Sequence, residues 1–88
     1  MTFLEQLQSR RGGLIRLKTE LYWYGGRGYD GNPGRVCLIL DTAADVDAKV
    51  LWKAPSTAAA RTPGPAALLL IDGSPHWVWV AESDVELL

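Results

Sequence analysis

The stretch that most constrains the fold of this chain is its end. His76-Trp77-Val78-Trp79-Val80-Ala81 is followed by Glu82-Ser83-Asp84 and then by Val85-Glu86-Leu87-Leu88. Aromatic and β-branched residues in an unbroken row form a strand more readily than a helix. The three polar residues read as a turn, and the apolar tail reads as a short closing strand.

The chain has 88 residues, a length that sets the expectation of one domain, 1–88. Such a domain buries a modest share of its surface, and its stability is on the order of 5 kcal/mol. Apolar residues make up 48%, enough for a core and too many for a disordered chain. The four Trp let a thin core bury much area per residue. Net charge is −1, which gives no bulk electrostatic case for nucleic acid. The charges are unevenly spread: residues 1–35 carry six Lys/Arg against three acids, and residues 36–88 carry three against seven. The single Cys37 excludes an internal disulfide and suits a reducing compartment. No apolar run is long enough for a membrane-spanning helix, and Thr2 to Arg11 lack the apolar block of a signal peptide. A cytoplasmic protein without membrane association is the expectation.

Thr2-Phe3-Leu4-Glu5 fits a capping box, and Gly12-Gly13 would stop the helix it opens. The expectation is a short helix from about Thr2 to Arg10, within an N-terminal segment 1–11, with Phe3, Leu4 and Leu7 on one face. If its own barrel leaves that face uncovered, a homodimer replaces the monomer. Strand one is expected from Leu14 to Tyr24, with Ile15, Leu17, Thr19, Leu21 and Trp23 on one face. Residues 25–34 form a long Gly-rich loop. Strand two, Arg35 to Leu40, is nearly all apolar and is expected to be buried on both faces. Thr42 to Asp47 reads as a turn, and Lys49 to Lys53 as strand three. The Pro/Ala-rich stretch 55–66 reads as an irregular insertion. Ala67 to Ile71 is strand four. Asp72-Gly73 signals a hairpin, which Pro75 would lengthen beyond two residues. His76 to Val80 is strand five, and Val85 to Leu88 closes the sheet. In strand five, Trp77 and Trp79 oppose Val78 and Val80. The Trp pair is then either covered core or an exposed interaction patch.

Short strands separated by turns argue for an all-β fold, and at this length a small bent barrel of about five strands over 13–88 is the economical one. Gly13-Leu14-Ile15-Arg16-Leu17, together with the Trp79–Leu88 ending, resembles small SH3-like barrel proteins of cyanobacteria and their bacteriophages. That wider group includes the ferredoxin-docking subunit of photosystem I, to whose aromatic tract Tyr22-Trp23-Tyr24 is similar. The resemblance implies an SH3-like barrel with a short N-terminal helix, and a docking role toward a protein partner. The helix and the 55–66 insertion depart from the family pattern.

Gly26-Arg27-Gly28-Tyr29-Asp30-Gly31 matches a dinucleotide-binding fingerprint in letters only, because no helix follows to receive a pyrophosphate. Asp72, Ser74 and His76 alternate across one turn, where they are not expected to converge as a catalytic triad. One His and one Cys do not make a conventional structural zinc site. The acid pairs Asp45/Asp47 and Glu82/Asp84 read as solvated turn charges. No catalytic, cofactor or metal site is therefore expected.

What remains is binding. Tyr22, Tyr24 and Tyr29, with Arg16, Lys18 and Arg27, form the expected partner surface of a non-enzymatic interaction or assembly-accessory module. Arg16, Lys18, Arg27 and Arg35, interleaved with the same tyrosines, raise nucleic-acid binding as one alternative. Docking of an acidic electron carrier such as ferredoxin is the other.

Overall fold

The structure, a computed structural model, describes residues 2–23, 29–30, 34–44, 52–53 and 64–88. In chain order its elements are helix α1 (Phe3–Ser9), strands β1 (Leu14–Leu17), β2 (Leu21–Trp23), β3 (Tyr29–Asp30), β4 (Val36–Ala43), β5 (Trp52–Lys53), β6 (Ala66–Ile71) and β7 (Ser74–Trp79), a 3-10 turn (Glu82–Asp84) and β8 (Val85–Leu87). The strands form one sheet in the order β3-β2-β5-β7-β6-β4-β1-β8. All pairings are antiparallel except β5 with β7. The chain is thus a small all-β domain with a short N-terminal helix, as its composition of strands and turns predicts. Leu21 of β2 and Val85 of β8, near opposite ends of the order, share one core cluster, so the sheet is curled around its core. That shape is consistent with an SH3-like barrel, although β3 and β8, at the two ends of the order, do not pair with each other among the described residues.

α1 begins at Thr2, whose hydroxyl accepts from the Glu5 N–H at 3.2 Å and donates to the Glu5 carboxylate. The carboxylate thereby takes the hydroxyl rather than the Thr2 N–H, so the capping box is only half made. The chain then turns at Gly12 and Gly13. The Gly12 N–H donates to Ile39 O, and Gly13 O accepts from the Ile39 N–H. These bonds lay the helix against β4. Leu7 is fully buried in the main core with Ile15, Leu17, Ile39, Leu69, Val78 and Val80, and Phe3 packs against it. The apolar helix face is covered by its own sheet, which removes the reason given above for a dimer.

Ile15, Leu17 and Leu21 are buried as their alternation predicts. The expected single strand from Leu14 to Tyr24 is instead two. The Lys18 N–H donates to Asp84 O, and the Thr19 hydroxyl reaches the Asp84 carboxylate at 3.4 Å. Held there, the chain leaves its neighbours β4 and β8 and continues as β2 beside β3 and β5. Asp84 is therefore a buried carboxylate and not the solvated charge expected; Glu82 is exposed.

β4 also departs from expectation. Cys37 and Ile39 face the core, but Val36 and Leu40 are 45% and 39% exposed. With Leu14 and Leu88 they are the exposed large apolar residues among those described. The helix docks over the core side and leaves this outer face open. A bulge at Leu40 shifts the register, so that Thr42 and Ala43 pair with Ala67 and Ala66 as strand rather than turn. Ala66, expected in the irregular insertion, accordingly opens β6; residues 55–63 of that insertion lie outside the described residues.

The β6–β7 hairpin turns on two residues only, Asp72 (φ 52) and Gly73 (φ 83), a conformation that suits Asp and Gly. Ser74 pairs with Ile71 and Pro75 with Leu70, so Pro75 lies within the strand and does not lengthen the turn. In a two-residue hairpin the second pair is not mutually hydrogen-bonded. The missing N–H of Pro75 therefore points away from β6 and costs that ladder nothing. Beyond it, Val78 and Val80 face the main core. Trp79, 6% exposed, and half-buried Trp77 pack on the opposite face with Ala66 and Ala43. Both sides of the strand end are covered. Among the described residues no helix is long and apolar enough to cross a membrane.

Candidate functional site

A pocket of about 120 Å³ opens at one end of the curled sheet. Its described walls are Leu21, Arg35, Trp52, Ile71, Asp72, Ser74 and His76. Strand periodicity explains the set. Ser74 and His76 share a face with Val78 and Val80, which are core residues, so they continue the inner face of β7 to its mouth. Trp52 is opposite Val78 in β5. Ile71 ends the inner row of β6, and Arg35 continues the inner row of Cys37 and Ile39. Helix α1 lies against the 39–41 part of β4, where Arg11 also pairs with Asp41 at 3.6 Å. The pocket sits at the other end, ahead of Val36.

Two contacts shape it. Trp52 and His76 meet edge to face, with ring centroids 6.2 Å apart and planes at 81°. The Arg35 guanidinium reaches Asp72 Oδ2 at 3.5 Å, with the Arg35 side chain 20% exposed and the Asp72 side chain 75% exposed. The backbone beneath Arg35 is fixed: its carbonyl accepts from the Leu17 N–H at 2.7 Å, and the preceding Gly34 N–H donates to Leu17 O. Beside this pair Cys37 is buried, and desolvation raises its thiol pKa above the usual value. Arg35 opposes that shift and Asp72 adds to it.

Asp72, Ser74 and His76 all line one pocket: Ser74 and His76 share a face of β7, and Asp72 reaches it from the hairpin turn. They do not form a triad. Asp72 is turned to Arg35, and no hydrogen bond joins Ser74 to His76. Two residues along a strand place their side chains about 6.6 Å apart, beyond the reach that activates a nucleophile.

The described residues include three members of the expected basic surfaces, Arg16, Lys18 and Arg35. Arg16, on the outer side of β1, pairs with Glu86 of β8 at 3.2 Å. Arg35 lies on the inner side, and Lys18 is exposed beyond the end of β1. Tyr22 stands opposite both Tyr29 and Lys53 in the ladder, next along β2 from the pocket residue Leu21. Tyr24 and Arg27 lie outside the described residues, as does most of the Gly-rich loop; Tyr29 and Asp30 within it are strand. Among the described residues no three His, Cys, Asp or Glu gather as a metal site. No family model, no characterised protein and no solved structure matches the chain, so its function has to be read from the geometry of this pocket.

Proposed function

We propose that the chain is a small non-enzymatic binding module that seats one side chain of a protein partner in the pocket at the open end of its sheet. The pocket itself carries this reading: an apolar floor of Leu21 and Ile71, an aromatic wall of Trp52 with His76, and a few polar groups at the rim. Apolar lining with sparse polar groups is the usual make-up of a recognition pocket, and a Trp wall is a common anchor. The separation of Ser74 from His76 supports binding over chemistry. This role is in keeping with the docking activity that the sequence resemblance implies.

Nucleic-acid binding and docking of an acidic electron carrier gain no such support. Both need a shared cationic surface, whereas Arg16 and Arg35 are each paired with an acid and lie on opposite sides of the sheet.

The test is selection of binders from a displayed random-peptide library, followed by affinity measurement against wild type and Ser74→Phe. Ser74 is exposed, so the larger ring fills the pocket without entering the core. A tenfold or greater loss on Ser74→Phe is expected. Selected peptides that bind both proteins equally would refute the assignment.

A further inference from the structure

We infer that the group this pocket recognises is a carboxylate attached to a compact apolar body, supplied by the C-terminal residue of a polypeptide. The inference rests on the pocket reading above and adds the chemistry of its ligand.

Arg35 is the reason. Its side chain is four-fifths buried, yet its described polar contact is a single one, 3.5 Å to Asp72. That distance is at the outer limit of a hydrogen bond. A guanidinium carries five N–H donors in a planar fork. None of its nitrogens is buried without a partner, so the donors not directed at Asp72 are open to solvent or to the pocket. A fork with accessible donors matches a carboxylate, which it binds through two parallel bonds. Asp72 is an occupant easily displaced: it sits on an exposed hairpin tip and holds Arg35 from one side only.

The size of the pocket decides where the carboxylate comes from. Arg35 and the apolar walls Leu21, Ile71 and Trp52 border the same 120 Å³. A cavity of about 150 Å³ holds one benzene ring. The anionic and apolar parts of the ligand must therefore belong to one residue. An internal Asp or Glu carries a charge without an apolar body. A C-terminal Leu, Val or Phe carries both on the same Cα.

Three probes separate the outcomes: the acetylated peptide Gly-Ser-Gly-Ser-Leu with a free C-terminus, the same peptide amidated, and 4-methylpentanoate. Binding is read from the Trp52 indole N–H signal in two-dimensional NMR titrations. The free-acid peptide is expected to bind at least tenfold more tightly than the amide and several-fold more tightly than the small acid. Arg35→Gln should abolish the difference between acid and amide. Asp72→Asn removes the competing carboxylate and should tighten the free-acid peptide by about twofold or more, a gain that no loss of folding can mimic. Equal binding of acid and amide overturns the inference, as does unchanged or weaker binding in Asp72→Asn. Preference for 4-methylpentanoate over the peptide overturns the chain-terminus assignment. If none of the probes binds while library peptides still depend on Ser74, the carboxylate inference falls and the pocket reading stands. If the library peptides ignore Ser74→Phe as well, both fall.

Discussion

Substituting Gly64 with Ala sets two opposed effects against each other at a place where the structure decides the sign. Gly64 precedes β6, and a Cβ added there would stand 2.6 Å from Nε1 of Trp79, 3.4 Å from Cε2 and 3.6 Å from Cζ2. In an unconstrained loop, Gly→Ala stabilises a protein by about 0.4–1 kcal/mol, because the unfolded chain loses freedom. Here the added methyl meets a rigid ring rather than the end of a flexible side chain. Trp79 is 6% exposed and hemmed by Ala66, Ala43 and Trp77, so it has little room to retreat. Overpacking of this kind costs about 1–3 kcal/mol. Subtracting the entropic gain leaves a net destabilisation of about 1 kcal/mol.

For a domain of this size that difference lowers Tm by about 4–8 °C, which thermal unfolding followed by far-ultraviolet circular dichroism resolves easily. The cause is isolated by repeating the substitution in a Trp79→Phe background, where the atom at 2.6 Å is gone. There Gly64→Ala should be neutral or stabilising, and the cycle should show a coupling of about 1 kcal/mol. A Tm that is unchanged or raised by Gly64→Ala in the wild-type background would refute the packing of residues 64–65 onto Trp79. An equal drop in both backgrounds would refute the assigned contact.

Leu7→Ala removes a fully buried side chain that anchors α1 and should cost about 2–5 kcal/mol in urea unfolding; a loss under 1 kcal/mol would mean that the helix does not dock. Gly73→Ala forces a side chain into a positive φ at the hairpin tip and should cost about 1–2 kcal/mol, whereas Asp72→Asn, a residue type that tolerates this conformation, should leave Tm nearly unchanged. The Cys37 thiol is held neutral by burial, so above its usual value of 9.0 the unfolded chain ionises first and releases protons that the folded chain keeps. Its contribution to stability is therefore full below pH 9 and declines above it. The fall in Tm between pH 8 and pH 10 should be smaller in Cys37→Ala than in wild type, and identical falls would exclude the effect.

Local pattern made some of this fold legible. The period-two alternation after Gly13 names Ile15, Leu17 and Leu21 as buried, because burial on one face of a strand needs no knowledge of its neighbours. Thr2 and Glu5 mark the helix start for the same reason. The apolar run of β4 could not be resolved that way. An apolar residue on the second face is buried only if another element covers it, and the helix turned to the inner face instead, leaving Val36 and Leu40 open. Asp84 has the composition of a turn residue, and its burial depends on Thr19 and Lys18, far away in the chain. Pro75 was misleading because a proline is harmless at a position whose N–H faces away from the hairpin partner. The pocket was missed although part of its signal was in view. Asp72, Ser74 and His76 are not expected to converge as a triad, yet the spacing of Ser74 and His76 is that of one strand face, here lining a cavity that Asp72 reaches from the turn.

The uneven charge along the sequence also acquires a physical account. Among the described residues, three cations of the basic first half are met by acids of the second half. Arg11 pairs with Asp41, Arg16 with Glu86 and Arg35 with Asp72, each an ion pair between the two halves. Arg10 adds a hydrogen bond to Leu88 O at 2.8 Å. The two exposed pairs, Arg11–Asp41 and Arg16–Glu86, contribute little to stability one by one, about 0–1 kcal/mol each. The common direction of all three pairs matters more: each joins strands or turns far apart in the chain that pairing within the sheet brings side by side. The pocket is assembled in the same way, with Leu21 and Arg35 from the first half and Trp52, Ile71, Asp72, Ser74 and His76 from the second. Of the three pairs, only Arg35–Asp72 borders the pocket. A ligand carboxylate that replaced Asp72 would restore the charge balance which folding had set up there and leave the other two pairs untouched. Binding at this site should therefore exchange one counter-ion for another with little rearrangement of the sheet, and Asp72→Asn should loosen the hairpin tip while leaving the rest of the molecule as it is.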